Sequence, residues 1–117
     1  MQQNELYTVE YNPAVFRDVA DIVSIFRSSG SIKGAERIQA KLNKAFDLLE
    51  MFPYAGTLLR DDDIAVMGIR MTVVEKYLVF YKVFEDEKKV VVYRILNGRN
   101  KYTAILNRMK HELDESE

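Results

Sequence analysis

The sequence lacks cysteine altogether and has one histidine and two prolines among its 117 residues. Without cysteine, a disulfide framework and a thiolate metal site are both excluded, and a reducing compartment suits the chain. The apolar runs are far too short to span a bilayer. The first 12 residues contain no apolar stretch of the kind found in secretory signals. These absences predict a cytoplasmic protein that has no membrane partner.

Charge is distributed unevenly along a chain whose net charge is −1. Residues 1–63 sum to −3, residues 64–113 to +5 and residues 114–117 to −3. The stretch Val90–Lys110 carries five cations and no acid. The C-terminal half is therefore suited to a phosphate or an acidic partner, with ordinary solvated charge as the equal alternative. A dedicated duplex-DNA binder would be more basic overall.

The first half of the chain predicts one strand and two helices. Leu6–Tyr11 alternates apolar and polar residues and is rich in β-formers, which indicates a strand. Asn12 as the cap and Pro13 at the first helical position begin a helix, which Gly30 ends. A second helix follows from about Ser31 to Met51 with an apolar stripe along one side. The short connection predicts an antiparallel helical hairpin.

The second half predicts three strands and a last helix. The strands are expected at about Ile64–Val73, Lys76–Phe84 and Lys89–Leu96, and the helix from about Asn100. The order β-α-α-β-β-β-α predicts one α+β domain over residues 1–117, built on a small, mainly antiparallel, twisted sheet. The helical hairpin packs on one face, and the N-terminal strand pairs with a later strand. The acidic tail 114–117 is predicted to be flexible.

Three adjacent acids, Asp61–Asp63, raise the question of a metal site. Successive side chains on a loop rarely converge on one ion, and no histidine or glutamate is close in sequence. A phosphate-binding loop would need more glycines than the single turn at Gly98 provides. We therefore predict neither a metal nor a cofactor.

Three stretches of the sequence, taken in order, resemble the RelE/ParE family of bacterial toxins from type II toxin–antitoxin modules. They are "FPYAG" after the second helix, "GIRMTVVEKYLVFYKV" across two strands and "YRILNGRNKYTAIL" at the end. The resemblance covers about residues 6–107 and includes the strand–helix plan. It implies a growth-arresting toxin that is neutralised by a cognate antitoxin, a helix or extended segment of which wraps the toxin surface.

The family resemblance implies one of two activities. RelE-like members cut messenger RNA in the decoding site of the ribosome, and ParE-like members inhibit DNA gyrase and cut nothing. The two branches share a fold, so the fold cannot choose between them. The sequence analysis favours a ribosome-dependent mRNA endoribonuclease, and gyrase inhibition without enzymatic activity is the alternative.

RNA cleavage by the 2′-hydroxyl requires proton transfer and a grip on the phosphate, for which arginine is well suited. The candidates are Arg70, Arg99 and Tyr102 for catalysis, and Lys76, Arg94 and Lys101 for substrate binding. We expect Arg70 and Arg99 at the rim of the sheet face opposite the helical hairpin. The alternative for Arg70 is a surface salt bridge with Glu75 or with one of Asp61–Asp63.

Alternation along the last predicted strand places Val90, Val92 and Arg94 on one face, opposite Tyr93 and Ile95. Both faces are largely apolar. One face therefore covers the helices, and the other forms a floor that becomes concave if the sheet twists.

One position departs from the nuclease pattern of the family. RelE-like nucleases carry a second arginine on the middle strand shortly after its tyrosine, and Leu78 stands at that place here. Leucine neither binds phosphate nor transfers a proton, so this departure counts against RNA cleavage. Lys76 is a substitute only if its pKa falls well below the ordinary lysine value of about 10.4.

Tyr102 and His111 both have a structural alternative. In some nuclease relatives a tyrosine at the place of Tyr102 stacks on a base or assists proton transfer. Its helical spacing with Ile105, Leu106 and Met109 favours packing instead. His111 is the single histidine and lies late in the last predicted helix, so we expect a passive surface residue rather than a catalytic one.

Overall fold

A computed structural model of the chain describes residues 5–60, 68–99 and 102–108. Its elements are β1 (Thr8–Tyr11), α1 (Pro13–Ser28), α2 (Ile32–Met51), β2 (Thr57–Leu58), β3 (Ile69–Val74), β4 (Tyr77–Phe84), β5 (Lys89–Asn97) and α3 (Tyr102–Arg108). A single 3-10 turn, Glu85–Glu87, joins β4 to β5. None of the helices in these ranges is long and apolar enough to cross a membrane.

The five strands form one mixed sheet in the order β1-β5-β4-β3-β2. β1 runs parallel to β5, and the other three pairs are antiparallel. The helical hairpin of α1 and α2 connects β1 to the rest of the sheet, which allows the first strand to lie beside the last. The predicted α+β fold and the pairing of the N-terminal strand with a later strand are thus confirmed.

The helix ends follow the caps that the sequence predicts. The Asn12 side chain accepts a hydrogen bond of 2.9 Å from the Ala14 N–H at the start of α1. The Ser31 hydroxyl accepts one of 3.0 Å from the Gly34 N–H at the start of α2. Gly30 lies between the helices with φ of +84°, a conformation that glycine adopts without strain. These local signals determine where the two helices of the hairpin begin and where the chain turns between them.

The strands differ from their predicted bounds in three places. β1 begins at Thr8, two residues later than predicted. β2 was not predicted, because two residues are too few to show an alternating pattern. β3 is described from Ile69 to Val74, and residues 64–67 of the predicted strand lie outside the described ranges. β4 and β5 agree with their predicted bounds to within one residue at either end.

An apolar layer covers each face of the sheet. On the first face, α1 and α2 pack Val15, Ile38 and Leu42 against Val79 and Tyr81. On the second face, the smaller layer is formed by Leu59, Ile69, Phe80, Tyr93, Leu96 and, from α3, Leu106. We name the two sides the hairpin face and the α3 face. Each fully buried aliphatic side chain contributes roughly 1.5–3 kcal/mol to stability.

A bulge interrupts β5 in its middle. Tyr81 pairs with Val92 and Phe80 pairs with Arg94, so β5 contains one residue more than β4 at this point. Ile95 consequently packs on the hairpin face together with Val92. The predicted alternation, which put Ile95 and Val92 on opposite faces, was wrong because it was continued across this extra residue.

Candidate functional site

Arg94 is bound to a buried carboxylate. Its Nε and Nη2 atoms donate hydrogen bonds of 2.7 and 2.9 Å to the two oxygens of Asp18 on α1. The Ile95 N–H donates a third bond of 2.9 Å to the same carboxylate. β1 ends at Tyr11, opposite Val92, so it does not reach Ile95. The Asp18 carboxylate accepts the hydrogen bond of the Ile95 N–H that a longer β1 would otherwise accept. A phosphate at Arg94 would have to compete with this carboxylate.

Arg70 holds the loop after α2. Its Nη1 donates to the carbonyl oxygens of Gly56 at 2.8 Å and Tyr54 at 3.3 Å. Its guanidinium also lies 5.0 Å from the centre of the Tyr54 ring, a cation–π distance. Both hydrogen bonds come from the same guanidinium nitrogen, which is therefore engaged within the fold itself.

Arg70 lies on the hairpin face, because it pairs directly with Tyr81, which packs under the helices. Its predicted position at the rim of the opposite face was wrong, since Ile69 and Met71 occupy that face of β3. The alternative of an ion pair with Glu75 is also not observed, and Asp61–Asp63 lie outside the described residues. A catalytic role for Arg70 remains a prediction.

The β3–β4 turn and the end of β5 meet at one end of the sheet. The Gly98 N–H donates a hydrogen bond of 2.9 Å to the Lys76 carbonyl, which sets the two chain segments side by side. Arg99 follows, and its N–H donates 3.0 Å to the Asn97 side chain. Lys76 and Arg99 are both exposed, and no acid in the described part of the chain forms an ion pair with either. We name this region the cationic end.

The surface next to these two cations is apolar. Leu78 lies between Val73 of β3 and Leu96 of β5 in the register of the sheet. Val73 is 58% exposed, so part of this row is open to solvent. Leu78, at the place where the resemblance to RelE-like nucleases implies an arginine, is thus part of an apolar strip, Val73–Leu78–Leu96, on the α3 face.

Tyr102 begins α3 beside this strip. Its ring centre lies 5.1 Å from that of Phe80, with the two planes tilted by 38°, and the residue is half-buried. Ile105 and Leu106 belong to the same apolar layer. The packing contact predicted as the alternative for Tyr102 is therefore present, and a catalytic role for it remains a prediction.

The structure brings together some of the predicted site residues and separates the others. Lys76 and Arg99 meet at the cationic end. Arg70 pairs with Tyr81, whereas the last residue of β5, Asn97, pairs with Tyr77. Tyr81 and Tyr77 are four residues apart, which corresponds to about 13 Å along β4. Arg70 also lies on the hairpin face of the sheet. Lys101 and His111 lie outside the described residues.

A polar cluster that sequence reasoning missed lies at the opposite end of the sheet. Glu85 accepts hydrogen bonds from the hydroxyls of Tyr54 at 2.6 Å and Tyr7 at 2.7 Å, and Lys88 binds its other oxygen. The Lys88 ammonium and then the two hydroxyls lower the pKa of Glu85 to about 2. The hydrogen bond to Glu85 raises the pKa of Tyr54 to about 12. All four groups thus keep one ionisation state around neutral pH, which makes them a structural clasp and unsuited to proton transfer.

No local spacing in the sequence indicates this clasp. Tyr7 and Tyr54 are far from Glu85 along the chain, and "FEDEKK" alone indicates only a turn between two strands. Among the described residues, no group of three or more metal-ligating side chains is arranged to hold an ion.

A five-stranded mixed sheet between a helical hairpin and a short terminal helix defines a small α+β domain. Residues 9–102 match the family model described as the ParE toxin of the type II toxin–antitoxin system parDE. This match covers most of the chain, so the protein belongs to that family, within the wider RelE/ParE group.

Two solved structures of this group share the fold at low sequence identity. The chromosomal ParDE system from P. aeruginosa is 14% identical with a TM-score of 0.64, covering 79% of this chain and 96% of that one. The toxin–antitoxin complex RelBE2 from Mycobacterium tuberculosis is 19% identical with a TM-score of 0.59, covering 83% and 97%. The isolated E. coli RelE toxin is 14% identical with a TM-score of 0.48, covering 88% and 98%. No curated protein sequence is significantly similar to the chain.

Proposed function

We propose that this protein is a toxin that arrests growth by binding its target without cleaving RNA, and that the target is DNA gyrase, as the family resemblance implies for ParE-like members. The sequence analysis favoured RNA cleavage, whereas the geometry of the predicted site residues favours gyrase inhibition without enzymatic activity. The observation that carries the proposal is the engagement of two predicted phosphate ligands. Arg94 is bound to Asp18, and Arg70 is bound to the carbonyls of Tyr54 and Gly56.

Cleavage of a phosphodiester needs several groups aimed at one phosphate and its neighbouring hydroxyl. Arg70 pairs with Tyr81 inside the sheet, whereas Arg99 follows the end of β5 beyond Asn97, and Leu78 offers neither charge nor a proton. Bringing Arg70 or Arg94 to a phosphate at the cationic end would require breaking its present hydrogen bonds. These facts support a role in which the surface recognises a partner and performs no chemistry.

The cationic end has the composition of a protein-binding surface. The apolar strip Val73–Leu78–Leu96, of which Val73 is exposed, Leu78 half-buried and Leu96 buried, lies beside the turn that carries Lys76 and the strand end that precedes Arg99. Protein interfaces commonly combine an apolar centre with a polar rim, and arginine is frequent among the residues that contribute most to binding. We assign Arg99 and the strip to target binding.

One observation favours RNA cleavage as the second candidate. Arg99 is exposed just after the end of β5, and Tyr102 begins α3 three residues later; a tyrosine can stack on a base and an arginine can bind a phosphate. In that case Arg99 would be the principal phosphate ligand and the ribosome would supply the remaining groups. Among the residues that the structure describes, no second arginine is aligned with Arg99, and this ranks the candidate below the first.

We also propose that a cognate antitoxin neutralises the protein. The two solved structures described above with TM-scores of 0.59 and 0.64 are described as a toxin–antitoxin complex, RelBE2, and a toxin–antitoxin system, ParDE. A partner that covers Arg99 and the strip would block the target-binding surface directly.

Induction of the protein in a bacterial host separates the two candidates. Mapping of mRNA 5′ ends and detection of gyrase–DNA breaks are carried out on the same culture. We expect trapped breaks and intact messages. Codon-phased cuts in messages, without gyrase-linked breaks, would instead establish the nuclease and overturn the proposal.

A further inference from the structure

Four cations lie in a row along α2. Lys33, Arg37, Lys41 and Lys44 follow one another at spacings of four, four and three residues, which places them on one side of the helix. All four residues are exposed, and the side chains of Arg37 and Lys41 stay 49% and 53% exposed although both bind Glu75. The row is roughly 16 Å long at the usual helical rise per residue. We name these four residues the basic ridge.

The acids of α2 near the ridge lie beside it. Glu36 and Asp47 are turned by roughly 80–100° from Arg37 about the helix axis. Among the described residues, the acid that contacts the ridge is Glu75, whose carboxylate lies 3.0 Å from Arg37 and 3.2 Å from Lys41. Four cations and one carboxylate give this surface a net charge of +3, on a chain whose net charge is −1.

Helix stability does not account for this row. Like charges four residues apart on a helix repel one another and destabilise it. Lys33 and Arg37 form one such pair, and Arg37 and Lys41 form a second. Within residues 5–60, 68–99 and 102–108, neither Lys33 nor Lys44 has an acid as an ion-pair partner. A row of cations that repel one another is suited to a partner that brings negative charge.

The ridge continues into the cationic end. Glu75, the acid that the ridge binds, is followed directly by Lys76 in the turn between β3 and β4. The Lys76 carbonyl accepts the Gly98 N–H, and Arg99 comes next in the chain. The middle of α2, this turn and the end of β5 therefore form one positively charged surface, part of which we assign to target binding.

The length of the ridge and its lack of aromatic groups favour the phosphate backbone of duplex DNA as the partner. Phosphates recur about every 3.4 Å along each strand of a duplex, so a row of about 16 Å spans about five of them. Between Lys33 and Lys44 the sequence contains no aromatic residue that could stack on a base, as the recognition of single strands requires. Contacts to phosphates alone position a protein on a duplex and read no base sequence.

We propose that the basic ridge contacts the DNA duplex that gyrase holds, while the cationic end binds the enzyme. This inference rests on the proposed function, and it gives the toxin a second point of contact in the gyrase–DNA complex. The contact is weak by itself, because a chain with a net charge of −1 gains little from long-range attraction to DNA. Its effect is to make the toxin bind DNA-loaded gyrase more tightly than free gyrase.

Fluorescence anisotropy of a labelled duplex of about 20 base pairs measures the contact without gyrase. We expect binding at low salt, with a slope of about −3 in a plot of log affinity against log salt concentration. Lys33→Ala/Lys44→Ala should weaken binding at least about tenfold and make the slope smaller by about 2, since two phosphate contacts are lost. Arg17→Ala/Arg27→Ala is the matched control, because it removes two exposed cations of α1 outside the ridge.

Glu75→Gln provides a second test, whose expected gain of affinity cannot result from a loss of folding. It removes the carboxylate that competes with phosphate for Arg37 and Lys41. We expect the affinity for the duplex to rise about threefold. The proposal would be overturned by no binding at low salt, by equal binding of the two double variants, or by an unchanged affinity in Glu75→Gln. Tighter binding of single-stranded RNA or of polyglutamate than of the duplex would also overturn it.

Gyrase assays distinguish this inference from the proposed function. The Lys33→Ala/Lys44→Ala protein should bind free gyrase as the wild type does and trap fewer DNA breaks, whereas Arg99→Ala should fail in both assays. Duplex binding by a protein that leaves gyrase active would contradict the proposed function and leave the DNA contact of the ridge established. Gyrase inhibition by a protein that does not bind the duplex would contradict the role of the ridge alone.

Discussion

The carboxylate of Asp18 and the guanidinium of Arg94 join the first helix to the last strand by two hydrogen bonds across 76 residues of sequence. The same carboxylate accepts the Ile95 N–H, so it also replaces a missing strand at the edge of β5. One side chain thereby fixes the position of α1 and the course of β5 after its bulge. Asp18 is only 8% exposed, which makes its pairing necessary for the folded state.

Replacing Asp18 should therefore be costly. We expect Asp18→Ala to lower the free energy of unfolding by about 3 kcal/mol, because it removes the buried carboxylate that accepts two hydrogen bonds from Arg94 and one from the Ile95 N–H. Urea denaturation measures the change. Arg94→Leu should also be destabilising, since it leaves the buried Asp18 carboxylate without its guanidinium, and the double variant should show a coupling of at least about 1 kcal/mol. Independent, additive effects would contradict the pairing.

Gly56 lies in a turn that leaves no room for a side chain. A Cβ atom at this position would lie 2.5 Å from the Tyr81 hydroxyl and 2.8 Å from the Met71 carbonyl. We expect Gly56→Ala to destabilise the fold by about 1–3 kcal/mol, because the backbone must move to relieve the overlap. Thermal unfolding followed by circular dichroism measures it. A melting temperature equal to that of the wild type would show that this turn is not closely packed.

The clasp at Glu85 predicts a pH dependence. The pKa of Glu85 is lowered from 4.5 to about 2, so the unfolded chain binds a proton that the folded chain does not bind in this interval. This contribution to stability is complete above about pH 4.5 and is lost as the pH falls toward 2. Glu85→Gln should flatten the acid part of the stability curve, as measured by urea denaturation at several pH values.

Asp86→Asn is the control for this measurement, because it removes a neighbouring exposed acid of the same turn that has no ion pair among the described residues. Its stability curve should keep the slope of the wild type in the acid range. Equal slopes for Glu85→Gln and the wild type would show that the clasp does not hold in solution.

Arg99 is the residue on which toxicity should depend most. We expect Arg99→Ala to reduce growth arrest at least about tenfold, with the free energy of unfolding changed by less than about 0.5 kcal/mol because the side chain is exposed. Viable counts after induction measure the toxicity. Arg17→Ala, which removes an exposed arginine of α1, should leave the arrest intact. Full toxicity of a folded Arg99→Ala protein would remove Arg99 from the binding surface.

The helices and the general plan of the sheet could be predicted from the sequence because their signals are local. Asn12, Pro13 and Ser31 mark helix starts within a few residues, and apolar spacing indicates the buried side. The bulge before Ile95 has no such signal, so the side-chain direction after it could not be derived. The two-residue strand β2 is likewise too short to form a pattern.

The candidate site was predicted less well, since its chemistry depends on contacts between distant residues. The stretch that contains Arg94 and Arg99 has no acid, and from the sequence its cations looked unpaired. In the fold, Asp18 of α1 binds Arg94, and Arg99 stays exposed. Arg70 was placed on the wrong face, because its partner carbonyls at Tyr54 and Gly56 have no sequence signature.

The central claim is that the cationic end recognises gyrase and cuts no RNA, and a supercoiling assay with purified gyrase and relaxed plasmid tests it most directly. We predict that the wild-type protein inhibits supercoiling and traps DNA breaks, that Arg17→Ala does the same, and that Arg99→Ala fails. Translating ribosomes incubated with the same preparation should keep their message intact. Unimpaired supercoiling together with cleavage of ribosome-bound message would contradict the claim.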